Sequence, residues 1–397
     1  MGVAVGIDLA KQVHWVVARV PDGATVLNRK LDNTPTAIAE LISELDALTV
    51  HGVVTVGIDV LGGIAGLITA MLTSADFRCV HVSGLAVNRA RRATRGGENK
   101  SDPRDARVIA DQVRMRDDLR VIDPPNDVDV DLRLLTGRRQ ELVCDQTRRA
   151  NRMRDLLCSI HPGMERRLDM TAKSDLLLLS RWVTAREIRA AGRARIVAAL
   201  RRSKVTAPRA QALVGKALAA AVEQDIVVTG EATTAELVRE LVADALVARD
   251  RIKAIDKRLE GLLDAHPDGD LVRSLPGMGT TLTSEFLAEV SSIDRFPTGN
   301  ALAAASGLAP VVQQSGKTHY LRRANSGNRG LKRVFYQSAF CAVGLDPTSK
   351  AFYTRKRSEG KTHHQAVIAL ARRRINVLHA ILRTRQPYNA EHSAAAA

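Results

Sequence analysis

The sequence lacks most of the features that mark secreted, zinc-binding and membrane-spanning proteins. Its only four cysteines, in 397 residues, are too scattered for a zinc cluster or a disulfide framework. Its most apolar later stretch, residues 61–72, is too short to cross a bilayer, and its first residues lack the basic flank and long apolar core of a signal peptide. We therefore expect a cytoplasmic, nucleoid-associated protein with no membrane partner.

Positive charge, in contrast, is abundant. Lys and Arg total 59 against 43 Asp and Glu, which gives a net charge of +16, and only 13 of the basic residues are lysine. Because the guanidinium group matches the geometry of phosphate, nucleic acid is the leading partner class. The alternative is a GC-rich genome that encodes Arg instead of Lys on an ordinary solvated surface.

The charge is unevenly distributed along the chain. Residues 1–88 contain five basic and eight acidic side chains, whereas residues 265–397 contain 18 basic and eight acidic ones. An acidic module in front of basic ones is what a metal-dependent site beside a phosphate-binding surface requires. The same distribution is also compatible with chance.

The first 82 residues predict an α/β domain. Three short runs rich in β-branched residues, with a Pro-Asp-Gly turn between the second and third, predict a three-stranded meander. Helix, strand, helix and strand patterns follow, which is the element order of an RNase H-like fold. The predicted strands are residues 3–7, 14–20, 25–31, 53–58 and 78–82, and the helices begin near residues 34 and 64.

The rest of the chain predicts mainly helices. We interpret residues 88–100 as a loop rich in Arg and Gly, and we expect a helix to begin near Ser101. Residues 132–263 show helical periodicity, with Thr233 and Glu236 as a candidate capping box for the final helix. We therefore predict an N-terminal domain at 1–125, a helical or coiled-coil spacer at 126–266, a mainly α domain at 267–388 and a flexible tail at 389–397.

Four aspartates form a candidate metal site. Asp8 follows the first strand and Asp59 follows the fourth, so both would emerge at one end of a shared sheet. Asp102 and Asp105 share a helix face because they are three residues apart. Such carboxylates can hold two Mg²⁺ ions for phosphodiester chemistry. Each of them could equally be an ordinary turn or helix-start residue.

The C-terminal domain contains two further signals. The segment LPGMG, with Gly277 and Gly279, resembles a helix-hairpin-helix turn that contacts a DNA backbone, although a plain turn between packed helices fits as well. Ser315 lies beside Gly316 in a polar loop before a basic stretch, which makes it a candidate nucleophile. Its local rivals are Ser306 and Ser326. The side chains and glycines that we expect to contact nucleic acid are Arg92, Arg95, Lys100, Arg104, Gly277, Gly279, Lys317, Arg322, Arg323, Arg329 and Arg333.

Taken together, these motifs resemble the IS-one-ten family of insertion-sequence transposases. The resemblance runs from about residue 3 to residue 388, and the order and spacing of the motifs make it specific. The motifs are GIDLAK at 6–11, KSDPRDA at 100–106, LPGMG at 275–279, RFP at 295–297, GLAP at 307–310, QSG at 314–316 and GNR at 327–329.

The resemblance implies a RuvC-like RNase H domain, a helical spacer and a C-terminal transposase domain. It also implies that Asp8, Asp59, Asp102 and Asp105 hold Mg²⁺, and that Ser315 attacks DNA to form a covalent phosphoserine link. The implied partners are the DNA of the element ends and target, a structured guide RNA transcribed from the element, and further copies of the chain in a dimer or tetramer.

One position departs from the family pattern. The second acidic residue of the family is usually Glu, whereas this chain has Asp59, which is shorter by one methylene. Two other functions remain open at this point. One is a Mg²⁺-dependent junction-resolving or nicking nuclease without serine chemistry, and the other is a non-enzymatic basic protein that binds nucleic acid.

Overall fold

A computed structural model of the chain describes residues 2–94, 98–122, 126–316 and 318–390. It contains two compact units, residues 1–126 and residues 127–397. None of the helices within the described ranges is long and apolar enough to cross a membrane. The predicted tail at 389–397 lies outside the described residues from position 391 onwards.

The first unit is built on a six-stranded mixed sheet with the strand order β3-β2-β1-β4-β5-β6. The first three strands form an antiparallel meander, and β4 runs parallel to both β1 and β5. Its elements are β1 (Val3–Asp8), β2 (Val13–Arg19), β3 (Thr25–Asp32), α1 (Pro35–Ala47), β4 (Val54–Ile58), α2 (Gly66–Ser74), β5 (Arg78–His81), α3 (Gly84–Arg92), α4 (Asp102–Met115) and β6 (Arg120–Val121).

The central strands β1 and β4 are apolar because they are buried on both faces. Val3, Val5 and Ile7 from β1 pack with α1 and α2, whereas the backbone at Gly6 approaches Ala106 and Ala110 of α4. Such two-sided burial is typical of the middle of an α/β sheet. The predicted order of meander, helix, strand, helix and strand is confirmed.

Two details of this unit differ from the predictions. The predicted loop at 88–100 is wrong in its first part, because residues up to Arg92 belong to α3. Ser83 caps that helix by accepting a hydrogen bond from the Ala86 amide, and Val87 and Arg91 are buried on one face of it. The two-residue strand β6, which pairs with β5, was not predicted; it is too short to leave an alternating pattern in the sequence.

The second unit is mainly helical, with one two-stranded sheet. Its elements are α5 (Asp127–Ile160), α6 (Pro162–Arg167), α7 (Lys173–Leu179), α8 (Ala185–Arg202), α9 (Ala207–Val222), α10 (Glu231–Ala265), α11 (Gly269–Ser274), α12 (Thr280–Val290), α13 (Gly299–Ala305), β7 (Val311–Ser315), β8 (Thr318–Arg322), α14 (Arg329–Leu345), α15 (Pro347–Ser358) and α16 (His363–Thr384).

The two long helices α5 and α10 pack against each other and connect two apolar cores. One core joins the end of α5 and the start of α10 to α6–α9, and the other joins the start of α5 and the end of α10 to α11–α16. The predicted capping box at Thr233 and Glu236 is wrong, because α10 begins earlier, at Glu231 after Gly230. Both residues therefore lie inside the helix.

The LPGMG segment forms the turn between α11 and α12. Gly277 has a φ of +82°, and a Cβ atom there would lie 2.6 Å from the Ser338 carbonyl oxygen on α14. The buried Arg374 side chain donates hydrogen bonds to the Pro276 carbonyl and, at 2.7 Å, to the Ser338 hydroxyl. The turn therefore packs against α14, and Arg374 of α16 holds the two together through these hydrogen bonds.

Candidate functional site

Two aspartates lie at the same end of the central sheet of the first unit. β1 and β4 are parallel, with Ile7 opposite Ile58, so Asp8 and Asp59 follow paired residues. Asp8 is half-buried as the last residue of β1, and the Oδ1 atom of Asp59 is buried without a hydrogen-bond partner among the described residues. An unpartnered buried carboxylate oxygen is costly unless a cation or donor meets it.

The electrostatics of these two carboxyls show that the four acidic groups interact. Burial raises the pKa of Asp8 from 3.8 to about 7, and the nearby charges of Asp59, Asp105 and Asp102 add to this effect. Burial also raises the pKa of Asp59, and Asp105 contributes to the rise. Lys100 acts in the opposite direction on both groups. The neighbouring positive charge of Lys100 therefore does not offset the effect of burial and of the other carboxylates on these two pKa values.

Asp102 and Asp105 come from the start of α4. Asp102 is exposed, whereas Asp105 is buried and receives hydrogen bonds at 2.8 Å on both carboxylate oxygens from Nη1 of Arg91. Arg91 is itself buried, on α3, so this ion pair joins α3 to α4. Sequence reasoning missed Arg91; the only signal was its position four residues after Val87 on one helix face.

The donor chemistry of this group fits a hard divalent cation, which prefers carboxylate oxygens. The unpartnered Asp59 oxygen and the raised pKa of Asp8 both fit a place where a cation would relieve repulsion. In the described ranges, however, no three His, Cys, Asp or Glu side chains come close enough to hold a metal ion as they stand. Asp105 directs both its oxygens to Arg91 instead.

The basic residues predicted near this site have different surroundings. Arg92 is exposed at the end of α3, and Lys100 is exposed and close enough to influence Asp8 and Asp59. Arg104 is half-buried and donates a hydrogen bond at 3.0 Å to the Thr94 hydroxyl. Arg95 lies outside the described residues.

Ser315 lies on the hairpin of the second unit. It is the last residue of β7, is exposed, and pairs with Thr318 across the turn at Gly316. Its hydroxyl makes no hydrogen bond within the described part of the chain, so it is accessible to a substrate. Lys317 lies outside the described residues.

Of the two rival serines, Ser306 is fully buried and its hydroxyl donates to the Ala303 carbonyl at 3.0 Å, so it is not available to a substrate. Ser326 is exposed, and its carbonyl oxygen lies 2.4 Å from where a Cβ of Gly307 would be. Gly307 and Gly327 both have positive φ and lie against each other. This contact closes the base of the hairpin and explains why the GLAP and GNR segments both contain glycine.

The predicted cations after the hairpin are exposed. Arg322 ends β8, Arg323 follows it and Arg329 begins α14. Arg333 forms an ion pair with Glu285, a largely buried side chain on α12, so its charge is already compensated. Arg322 and Arg323 line a cleft of about 790 Å³ together with Lys332, from the basic stretch that follows Ser315, and with two cations that the sequence did not indicate, Lys361 and Arg372.

Of the two glycines in the LPGMG turn, only Gly279 has open space beside it. A Cβ at Gly279 would meet nothing within 4 Å, whereas the space beside Gly277 is filled by α14. A backbone contact to phosphate at this turn therefore depends on Gly279 alone.

Comparison with known proteins extends these observations to the whole chain. A family model described as a transposase matches residues 5–162, and a second, described as transposase IS116/IS110/IS902 family, matches residues 269–354. The chain is 37% identical to an uncharacterized 42 kDa protein of insertion element IS900 from Mycobacterium paratuberculosis, over 99% of this chain and 98% of that one. It is also 37% identical to an uncharacterized 44.8 kDa protein of insertion element IS116 from Streptomyces clavuligerus, over 96% and 95%.

A solved structure of Thermus thermophilus RuvC with a Holliday junction substrate is also similar, at 13% identity and a TM-score of 0.23, over 31% of this chain and 100% of that one. The first model covers the four candidate carboxylates. The second covers Ser315 and most of the C-terminal helices. This is the family that the sequence motifs resemble, and its members cut and rejoin DNA. The chain therefore belongs to the IS116/IS110/IS902 family of insertion-sequence transposases.

Proposed function

We propose that this transposase cuts and rejoins DNA through a covalent phosphoserine intermediate formed by Ser315. We further propose that Asp8, Asp59, Asp102 and Asp105 hold Mg²⁺ in an N-terminal domain with a RuvC-like RNase H fold. The observation that carries the metal site is the group of buried and neighbouring carboxylates at the ends of β1 and β4, where burial and then the charges of Asp59, Asp105 and Asp102 raise the pKa of Asp8 to about 7. For Ser315, the support is an exposed hydroxyl on a hairpin followed by Arg322 and Arg323.

The serine step conserves the energy of the phosphodiester bond. The Ser315 hydroxyl oxygen attacks phosphorus and loses its proton to water, a serine–phosphate bond forms, and the bond to one DNA oxygen breaks. That oxygen takes up a proton and becomes a free hydroxyl. When a DNA hydroxyl later attacks the phosphoserine, the serine is regenerated and the strand is rejoined.

The carboxylates contribute by binding and orientation. Asp8 and Asp59 are fixed by strand pairing, and Asp105 is fixed by α4 and by its contact with Arg91. These residues would hold a divalent cation, which when bound would supply charge stabilisation to the phosphate. Asp59 has a shorter side chain than the Glu usual at this position.

A structured guide RNA from the element and a homo-oligomer complete the proposal. The guide RNA is supported by the net charge of +16, most of it from Arg. These cations bind phosphate and carry no base code of their own, so pairing between RNA and DNA would supply the sequence specificity.

One assay tests the reaction. The protein is incubated with Mg²⁺, element-derived RNA and cognate DNA, and denaturing gels are examined for protein–DNA adducts. We expect an adduct with the unchanged protein and with Ser326→Ala, the matched control at an exposed serine of the same region. We expect none with Ser315→Ala, and neither cleavage nor adduct with Asp8→Asn or with a chelator.

The other results have defined meanings. Cleavage without an adduct would identify a metal-dependent nuclease in which Ser315 has no chemical role. Binding with neither cleavage nor adduct would identify a non-enzymatic nucleic-acid-binding protein. An adduct that survives Ser315→Ala would contradict the assignment of the nucleophile.

A further inference from the structure

The cleft beside the hairpin is lined by positive charge. Its lining includes the side chains of Arg322, Arg323, Lys332, Lys361 and Arg372, and no Asp or Glu is among the described residues that line it. Its volume, about 790 Å³, is within the range of sites that bury a small organic molecule.

Carboxylates of the protein compensate these cations only in part. The pKa of exposed Glu359 is lowered first by its hydrogen bond with Lys356, and Lys361 adds to that effect. Within the ranges that the structure describes, no ion pair joins Arg322, Arg323, Lys332 or Lys361 to a carboxylate, and Arg372 donates its hydrogen bonds to the neutral side chains of Asn300 and Asn376. Burial lowers the pKa of Lys332, and the charge of Arg323 lowers it further. A polyanion entering the cleft would therefore relieve repulsion among like charges.

One wall of the cleft continues into a row of rings. His364 lines the cleft, and its ring centroid lies 5.2 Å from that of Tyr336 on α14. Phe340, one turn further along α14, lies edge-on to His363 with centroids 6.1 Å apart, and His363 lies edge-on to Tyr353 at 5.7 Å. Tyr336 and Phe340 are four residues apart and share a face of α14, so the two groups of rings lie on neighbouring turns of one helix, and we call these five rings the row.

The row lies at the edge of the apolar core: Tyr336 and Tyr353 are partly buried against that core, and the other three rings are exposed. Phe340 is 50% exposed, and both histidines are exposed. The chain has only six Phe, four Tyr and two Trp, which makes an exposed ring uncommon here. Exposed rings beside unpaired cations are the combination that binds single-stranded nucleic acid, because bases stack on the rings and phosphates meet the charges.

We propose that this cleft and row bind unpaired nucleotides of a DNA or RNA strand. Phosphates lie in the cleft among Arg323, Lys332 and Lys361, and bases stack along Tyr336, His364 and Phe340. The inference rests on the proposed function to the extent that strand exchange and an RNA guide both produce unpaired nucleotides. A paired base is stacked inside its duplex and cannot present its face to this row.

The test measures binding of the full chain to labelled 12-nucleotide single-stranded DNA, single-stranded RNA and duplex DNA by fluorescence anisotropy. All proteins carry Ser315→Ala and all samples contain a chelator, so the result depends on neither the serine nor the metal. The cleft variant is Arg323→Ala with Lys361→Ala. The matched control is Arg138→Ala with Arg148→Ala, which removes the same charge from exposed positions on α5.

We expect the cleft variant to bind both single strands about tenfold more weakly than the control does. Its plot of log affinity against log salt concentration should be less steep by about 1.4, because two phosphate contacts are lost. Phe340→Leu should weaken single-strand binding about fivefold or more and change duplex binding less than about twofold. Phe340→Trp, which keeps a stacking face, should restore binding. Circular dichroism and thermal melting confirm that each variant is folded.

A cleft variant that binds as well as its control would overturn the inference, and so would a Phe340→Leu variant that weakens duplex and single-strand binding equally. A larger loss with DNA assigns the site to a displaced DNA strand, and a larger loss with RNA assigns it to the guide. Because this assay contains no reaction, a failed adduct assay with the expected binding losses would refute the phosphoserine proposal and leave this site in place.

Discussion

Asp8 illustrates how a single carboxyl can make the stability of a fold depend on pH. Its pKa is about 7 in the fold, against an ordinary value of 3.8, because burial and three neighbouring carboxylates disfavour its charge. A group whose pKa is raised by folding stabilises the protein fully below its unfolded pKa, and that contribution is lost as pH rises through the folded value. The metal-free fold therefore loses stability between about pH 4 and pH 7.

The first prediction follows from this loss of stability with rising pH. Asp8→Asn, which carries no charge at any pH, should raise the unfolding free energy of the metal-free protein by about 1 kcal/mol or more at pH 8, after allowing for solvent screening of a half-exposed group. At pH 4 the variant should match the unchanged protein. Trp15 fluorescence in a Trp182→Phe background reports this unit, because each unit contains one of the two tryptophans.

Asp32→Asn is the control, because Asp32 is an exposed carboxyl at the end of β3. It should change stability by less than about 0.5 kcal/mol at either pH. A stabilisation of Asp8→Asn that is equal at pH 4 and pH 8 would show that charge repulsion is not its cause.

The second prediction concerns the buried pair of Arg91 and Asp105. Arg91→Ala leaves a buried carboxylate without its counter-ion, so the first unit should lose about 3–5 kcal/mol of stability. Arg91→Ala combined with Asp105→Ala should be more stable than Arg91→Ala alone, since no charge is then left unpaired. Urea unfolding of the two single variants and the double variant measures the coupling, and additive losses would contradict it.

At the scale of elements, the two glycines of the turn between α11 and α12 have different surroundings. The third prediction is that Gly277→Ala destabilises the second unit by about 2 kcal/mol or more, because Ala is strained at positive φ and its Cβ meets the Ser338 carbonyl. Gly279→Ala, with open space beside it, should change stability by less than about 0.5 kcal/mol. Thermal melting followed by Trp182 fluorescence compares the two.

The same pair of variants addresses the predicted DNA contact. If the turn approaches a phosphate through Gly279, then Gly279→Ala should weaken DNA binding although the fold is intact. Unchanged affinity would leave the turn with a packing role only.

Elements with strong periodicity could be predicted from the sequence, and elements that depend on tertiary contacts could not. β1 and β4 were predictable because burial on both faces requires continuous apolar runs. α3 was not, because its many arginines suggested a loop, whereas the buried Arg91 is held by Asp105 in a different helix. A partner fourteen residues away leaves no local pattern.

The candidate sites show the same limit. Strand order alone placed Asp8 and Asp59 together, since parallel strands end at one edge of a sheet. The cationic cleft could not be predicted because its side chains come from β8, α14 and α16, which only packing brings together. Asp105 was expected to face the metal site, and its contact with Arg91 became visible only in three dimensions.

At the scale of the whole molecule, the first unit has all it needs to fold alone. Its two apolar clusters draw only on residues between Val3 and Ile122. The fourth prediction is that a fragment of residues 1–126 gives a cooperative thermal transition, measured by circular dichroism. A fragment of residues 1–115 should melt at a lower temperature because it lacks β6 and Ile122. A non-cooperative transition for the longer fragment would contradict an independent domain.

The pair of long helices in the second unit also sets a length. α5 has 34 residues and α10 has 35, and at about 1.5 Å per residue each extends about 50 Å. The two apolar cores meet these helices at opposite ends, and Leu135 of one core is 15 residues from Ala150 of the other along α5, about 22 Å at that rise. The helix pair is therefore a stiff spacer that fixes the distance between the two cores of the second unit.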